Sequence, residues 1–168
     1  MAAYNFQACF APDVECMYKR QTIRAKGKRR HARPGERVQL YTGQRTKACR
    51  KLVDPDPVCT AADEIKLARD DGDGRFCVTI TKKSKRGLSE RVIHGDESRF
   101  KRFARADGFK SMAAMMDWFE KAHGLPFEGV LIKWRPSKEH RNCDSCRRYP
   151  VERACLRCVG QELWEPRA

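Results

Sequence analysis

Short apolar runs broken by proline, glycine and charged residues limit the folds that the first 135 residues can adopt. Residues 38–41 and 76–80 are rich in β-branched and aromatic side chains and are bounded by turn residues, so they predict short strands. Helical spacing is confined to a few stretches, the clearest at residues 97–106 and 111–123, and it does not alternate regularly with the strands. We therefore expect an α+β fold, a small β-barrel with two or three inserted helices, rather than a doubly wound parallel sheet.

The longest helical pattern carries an apolar stripe. Met112, Met115, Met116 and Phe119 recur at the spacing i, i+3, i+4 and i+7, which places them on one face of a helix. Ser111 precedes the pattern, and a serine hydroxyl at this position typically accepts a hydrogen bond from the first turn. We interpret the stripe as part of the hydrophobic core and Ser111 as the residue that begins the helix.

Two CxxC pairs near the C-terminus predict a metal site. The ligands would be four thiolates, from Cys143, Cys146, Cys155 and Cys158. Four sulfur ligands complete the tetrahedral shell that structural zinc favours and leave no open position for catalysis. We therefore divide the chain into a barrel domain at residues 1–136 and a zinc-knuckle tail at residues 137–168. Reduced surface thiols, two disulfides, or His140 in place of one cysteine remain alternatives.

The N-terminus has neither the basic start nor the apolar stretch of a signal peptide, and no run reaches the roughly 20 apolar residues that a spanning helix needs. These features predict a cytoplasmic protein without a membrane partner, whose thiols are reduced. Small buried thiols are the default interpretation of the cysteines outside the tail. These are Cys9, Cys16, Cys49, Cys59 and Cys77.

Positive charge is concentrated in residues 19–51, the basic segment. Thirteen basic residues and one acidic residue give this segment +12 of the chain's formal charge of +14. Such a concentration favours a phosphate-bearing partner, so we predict a basic cleft in which Tyr41 stacks on a base. The expected contacts to nucleic acid are Arg20, Arg24, Lys28, Arg29, Arg30, Tyr41, Arg45, Lys47 and Arg50.

Two motifs in the basic segment resemble a known family. One is Lys-x-x-Thr-Ile-Arg at residues 19–24, and the other is Pro-Gly-Glu at residues 34–36. With these motifs the chain resembles the ASCH domain family, a branch of the PUA-like β-barrel superfamily. The Asp-Gly-Phe step at residues 107–109, the helix after it and the strand ending at Trp134 are also similar. The resemblance spans about residues 4–135 and leaves the cysteine-rich tail outside.

The resemblance implies a barrel with a basic cleft for RNA or a modified nucleoside. Some relatives are small amidohydrolases of acylated cytidines, and others are linked to RNA binding or cleavage. The lysine, threonine and glutamate that work together in the hydrolases fall on Lys19, Thr22 and Asp107, the last being one methylene shorter than the family's glutamate. Crowding by Arg20 and Arg24 would lower the pKa of Lys19, which could then take a proton from the Thr22 hydroxyl or from water.

These observations favour a nucleic-acid-binding protein, with RNA as the partner we expect. An enzyme on the same scaffold is the alternative, either an amidohydrolase of acylated cytidine nucleosides or a ribonuclease, with Lys19, Thr22 and Asp107 as its working residues. An adaptor that docks an acidic protein would also fit the charge, but it would leave the Lys-x-x-Thr-Ile-Arg motif without a role.

The cysteine pattern generates a direct prediction. Elemental analysis of the purified chain should give about one zinc per molecule, because four thiolates satisfy one tetrahedral ion. Changing Cys143 and Cys155 to serine should remove the metal, whereas changing Cys9 to serine should not. A folded, metal-free preparation of the unaltered chain would contradict the zinc assignment.

Overall fold

The computed structural model describes residues 1–70, 72, 74–84, 87–94 and 96–137. The four predicted zinc ligands lie outside these residues, as does His140, so the zinc site stays a prediction. The proposed boundary at residue 136 lies almost at the end of the described part. Within that part no helix has the length and apolar composition needed to cross a bilayer.

Strands and helices together confirm the expected α+β class. The strands are β1 (Ala2–Phe6), β2 (Gln21–Ala25), β3 (Val38–Thr42), β4 (Arg50–Lys51), β5 (Val58–Arg69), β6 (Phe76–Ser84), β7 (Gly87–His94) and β8 (Phe127–Arg135). The helices are α1 (Ala11–Glu15), α2 (Glu97–Ala106) and α3 (Met112–His123), and a short 3-10 helix covers Ala8–Phe10. β4 is limited to two residues, because turns and bends occupy residues 43–48 before it.

The strands form two sheets instead of a closed barrel, so the expectation of a closed barrel is wrong. The small sheet has the order β1-β3-β4, with β1 and β3 parallel, and the large antiparallel sheet has the order β2-β8-β5-β6-β7. The sheets meet where Arg37 bridges Val58 and the Val38 N–H donates to the Pro57 carbonyl at 2.9 Å. Helices cover one face of the large sheet, so that face is buried without the sheet closing on itself.

The first core lies between that face and helices α2 and α3. The methionine stripe is buried there as predicted, against Leu67 of β5, Val78 of β6 and Leu131 of β8. The Ser111 hydroxyl accepts a hydrogen bond from the Ala114 N–H at 3.2 Å, which confirms its capping role.

The second core lies between the other face of the large sheet and the small sheet. Ile132 and Trp134 of β8 point into it and meet Phe6, Val38 and Leu40. Because successive side chains of a strand point to opposite faces, β8 supplies Leu131 to the first core and Ile132 to the second. β8 is therefore buried on both faces.

The five cysteines before the tail do not share one environment. Cys59 is buried as predicted, Cys16 and Cys77 are half-buried, and Cys9 and Cys49 are exposed. The prediction is wrong for the last two because Cys9 lies on the outer side of the 3-10 helix and Cys49 on the turns before β4.

Candidate functional site

The site is built around the C-terminal end of helix α2. Gly108 has a φ of 86°, a left-handed conformation that glycine adopts without a steric cost. Its N–H donates to the Arg105 carbonyl at 2.9 Å, and the Phe109 N–H donates to the Ala104 carbonyl at 2.9 Å. These two bonds form a Schellman motif, which ends the helix at Asp107 and fixes the backbone of that residue.

Residues 19–21 close the same helix end from the other side. The Arg20 N–H donates to the Ala106 carbonyl at 3.0 Å, and the Gln21 amide nitrogen donates to the Phe103 carbonyl at 3.1 Å. The Lys19 ammonium donates to the carbonyl of Asp107. Three carbonyls of the last helical turn thus obtain partners from the entry to β2, and we call this contact the helix joint.

Lys19 and Asp107 also form a buried ion pair within the helix joint. The Lys19 ammonium contacts Asp107 Oδ1, and the two residues are 2% and 3% exposed. The Lys19 Nζ lies 5.0 Å from the ring centroid of Phe10. A Cβ at position 108 would lie 3.1 Å from Lys19 Cδ and 3.0 Å from Phe10 Cδ1, so glycine is needed at that position for space as well as for its φ.

Burial sets the protonation behaviour of this pair. Burial lowers the pKa of Lys19 and raises the pKa of Asp107, and in each residue the opposite charge of the partner works against the shift. The lowered pKa of Lys19 agrees with the sequence prediction. Its main cause is burial, to which the charge of Arg24 adds, whereas Arg20 is exposed. Both shifts bring the pair closer to proton transfer within the site.

A cavity of about 90 Å³ opens beside the ion pair, and we call it the Lys19 pocket. The structure brings the three residues of the predicted trio together here, because Lys19, Thr22 and Asp107 all line it. Its remaining walls are mostly aromatic and come from Phe6, Phe10, Phe109, Trp118 and Phe119. These aromatic walls were not predicted from the sequence. Phe109 follows directly after the Asp-Gly step and was the one signal in the sequence that could have indicated them.

Two buried polar atoms of the pocket residues have no hydrogen-bond partner among the described residues. They are Oδ2 of Asp107, an acceptor, and Nε of Arg24, a donor. Arg24 is otherwise held in place, since its Nη2 donates to the Asn5 carbonyl at 2.7 Å and its guanidinium carbon lies 5.1 Å from the centre of the Phe6 ring. An unpaired buried polar group costs about 1–3 kcal/mol. A ligand that supplies one donor and one acceptor would remove both costs.

Several cations of the basic segment are paired with carboxylates. Arg30 contacts Glu36 at 2.8 Å, and Arg50 contacts Glu15. The Arg30 guanidinium and the Arg33 N–H hold the pKa of Glu36 down at about 2. Lys26 and Lys51 contact carboxylates outside the segment, at Glu64, Asp54 and Asp56. The net positive charge that the basic segment presents at the surface is therefore smaller than its composition suggests.

The other predicted contact residues differ in how far they are exposed. Arg20, Lys28, Arg29, Arg45 and Lys47 are exposed. Tyr41 is half-buried on β3 and is not part of the Lys19 pocket. Of the residues predicted to contact nucleic acid, Arg24 lines that pocket. The pocket at the helix joint is therefore distinct from the cleft predicted beside Tyr41, and that cleft stays a prediction.

Comparisons of the chain with protein-family models, curated proteins and solved structures found no match. In the described part of the chain, no three side chains of histidine, cysteine, aspartate or glutamate are grouped as a metal site. What the site can do is therefore argued from the Lys19 pocket and from the motif resemblance.

The buried ion pair generates a prediction about stability. Lys19→Met or Asp107→Asn should each lower the free energy of unfolding by about 3–5 kcal/mol, because each leaves the other group buried without its partner. The double variant should lose less than the sum of the two losses, by about 0.5–3 kcal/mol, since no lone charge remains. Urea unfolding followed by circular dichroism measures all three values.

A matched control is the exposed ion pair of Lys83 and Glu64, in which Nζ lies 2.6 Å from Oε1. Lys83→Met should cost less than about 1 kcal/mol because solvent screens that pair. Equal costs for Lys19→Met and Lys83→Met would contradict the assigned role of the helix joint.

Proposed function

We propose that the protein binds single-stranded RNA, with one base held in the Lys19 pocket. The observation that carries this proposal is the convergence of Lys19, Thr22 and Asp107 on one small cavity with aromatic walls. Aromatic faces stack on bases of any sequence, at about 1–3 kcal/mol per base. Charged groups at the same place then discriminate between the hydrogen-bonding edges of the bases.

The size of the pocket supports insertion of a base alone. Pockets that enclose drug-sized ligands measure about 300–1,000 Å³, and the Lys19 pocket measures about 90 Å³. A base could enter while its ribose and phosphates stay outside. Flipped-out and unstacked bases of single-stranded RNA are recognised in this way.

The unpaired polar atoms favour a base with an amino group beside an acceptor. Asp107 Oδ2 can accept from an exocyclic amine, and Arg24 Nε can donate to a ring acceptor. Cytosine offers this combination, and carboxylates accept from its N4 amine. Uracil has a carbonyl where cytosine has its amine. Its oxygen would face the Asp107 carboxylate, and neither group could donate a hydrogen bond to the other.

Exposed cations that follow Lys19 in the chain are the candidates for contacts to the phosphates on either side of the inserted base. Arg20, Lys28 and Arg29 are exposed and follow Lys19 closely in the chain. The proposal includes the ASCH-type, PUA-like ancestry that the Lys-x-x-Thr-Ile-Arg motif suggests, in a form whose sheet is not closed. It also includes a structural zinc in the tail.

RNA binding can be measured by fluorescence anisotropy with oligocytidine and oligouridine of equal length. Oligocytidine should bind more tightly, and Arg24→Gln should reduce the difference. The logarithm of the affinity should fall with the logarithm of the salt concentration by about 0.7 per phosphate contact. Lys28→Gln with Arg29→Gln should flatten this slope by about 1.4 if each contacts one phosphate, and Lys121→Gln, on helix α3, should not. Binding without salt dependence would contradict the proposal.

Hydrolysis of an acylated cytidine is the second candidate function, favoured by the arrangement of the trio. Burial lowers the pKa of Lys19, which favours its action as the base that removes a proton from the Thr22 hydroxyl or from a water molecule. The resulting oxygen nucleophile attacks the acyl carbon, and the carbon–nitrogen bond breaks. The Lys19 ammonium returns that proton through Asp107, to which it donates a hydrogen bond, and Asp107 passes it to the leaving amine. If Thr22 is the nucleophile, water then cleaves the acyl-threonine ester and releases the acid.

This candidate predicts slow release of cytidine from N4-acylcytidine, measured by chromatography. Thr22→Val keeps the shape of the buried side chain but removes the hydroxyl, so turnover should be lost if Thr22 is the nucleophile, whereas Thr22→Ser should retain part of it. The value of kcat/KM should rise with pH as Lys19 loses its proton. Equal turnover by the unaltered chain and Thr22→Val would remove Thr22 from the mechanism. Absence of turnover together with cytosine-selective binding would leave the binding function alone.

A further inference from the structure

A second cavity lies on the opposite side of the helix joint, between helix α2 and the strands β6, β7 and β8. Its volume is about 280 Å³. Ile80, Ile93 and Phe103 form an apolar floor, and four cations surround it. These cations are Arg91, Arg99, Arg102 and Lys133. None of them belongs to the basic segment, so the charge analysis of the sequence did not identify this site. We call it the Lys133 trough.

The fold brings these cations together from three elements. Arg99 and Arg102 are three positions apart on α2 and so lie on one face of that helix. Arg91 comes from β7 and Lys133 from β8, with β5 and β6 between these two strands. Three strand spacings correspond to about 14 Å. These two cations therefore come from opposite sides of the trough, whose volume of about 280 Å³ has room for more than one phosphate.

Most of this charge is not neutralised by the described residues. Arg99 is paired with Asp96, whose Oδ2 lies 2.9 Å from the Arg99 Nε. Arg91, Arg102 and Lys133 have no carboxylate partner within ion-pair distance among the described residues. Burial lowers the pKa of Lys133, and the charges of Arg91 and Lys82 add to that shift while Asp63 opposes it. Mutually repelling cations around one cavity are stabilised when an anion binds between them.

The Lys133 trough and the Lys19 pocket are connected through the helix joint. Lys19 lines the pocket and Gln21 lines the trough, and the exposed Arg20 lies between these two residues in the chain. On the helix, Asp107 lines the pocket and Ala106 lines the trough. The two cavities thus flank the same few residues.

We propose that the Lys133 trough binds phosphate groups of the RNA strand whose base occupies the Lys19 pocket. This inference rests on the proposed function, and it assigns the direction in which the strand leaves the pocket, across Arg20 and towards β7. Guanidinium groups suit this role because their planar donors bind phosphate oxygens in pairs. The phosphate is either an internal phosphodiester or a terminal phosphate, and the two sources are separable by experiment.

The test uses the full chain and the variant Arg102→Gln with Lys133→Gln. The affinity of each protein for oligocytidine is measured by fluorescence anisotropy across a salt series. The matched control is Lys66→Gln with Lys121→Gln, which removes the same charge from exposed positions outside the trough. We expect the trough variant to flatten the salt slope by about 0.7 per lost phosphate contact, while the preference for cytosine over uracil persists. The control should leave the slope within about 0.2 of that of the unaltered chain.

Two further comparisons complete the test. Oligocytidines with a 5′-hydroxyl and a 5′-phosphate distinguish the sources: equal losses with both indicate internal phosphodiesters, and a loss only with the phosphorylated strand indicates a terminal phosphate. Titration of the unaltered chain with inorganic phosphate, followed by NMR of the arginine Nε–H groups, should shift signals that Arg91→Gln and Arg102→Gln remove.

The experiment distinguishes failure of the trough inference from failure of the proposed RNA binding. If cytosine-selective binding persists and the trough variant behaves like the control, the trough inference is overturned and the proposed function stands. If no RNA binds but phosphate shifts the trough signals, the proposed function fails and the trough is a phosphate site of another kind. If neither RNA nor phosphate produces an effect, both are overturned.

Discussion

The described structure depends on how the C-terminal end of helix α2 is closed. A helix end leaves its last carbonyls without internal partners and carries partial negative charge. Here the Lys19 ammonium, the Arg20 N–H and the Gln21 amide supply the missing donors. Since β2 begins at Gln21 and pairs with β8, the same contact attaches the helix to the edge of the large sheet. Without this contact, helix α2 would no longer be held against the β2 edge of the large sheet, which separates the two cores.

The residues that close the helix also form the candidate site, so stability and function are coupled there. Lys19 has one carboxylate oxygen and one carbonyl of Asp107 as partners, while the second carboxylate oxygen has no partner in the part of the chain that the structure describes. A site made only for stability would be expected to pair every buried polar atom, because an unpaired one costs about 1–3 kcal/mol. The free oxygen beside an aromatic cavity is therefore the feature that favours a ligand over a purely structural role.

The sequence predicted the structural features that residues close together in the chain determine. It did not predict the features that depend on contacts between distant residues. The stripe of α3 and the cap at Ser111 follow from spacing and from one hydroxyl, and both are present. The convergence of Lys19 and Asp107, 88 residues apart in the chain, was anticipated only through a motif resemblance. The extent of closure of the sheets could not be read from the chain, because it depends on how α2 and α3 cover one face.

Charge composition was a poorer guide to the site than the placement of single side chains. Part of the positive charge of the basic segment is neutralised by ion pairs with Glu15, Glu36 and Asp56. By contrast, Arg91, Arg102 and Lys133 are far apart in the sequence but line one trough. Carboxylates from distant elements determine how many cations of a basic segment remain free to bind a ligand. Folding also brings cations that are isolated in the sequence together into one site. A polyanion that followed the surface would therefore meet the cations of the trough as well as those of the basic segment.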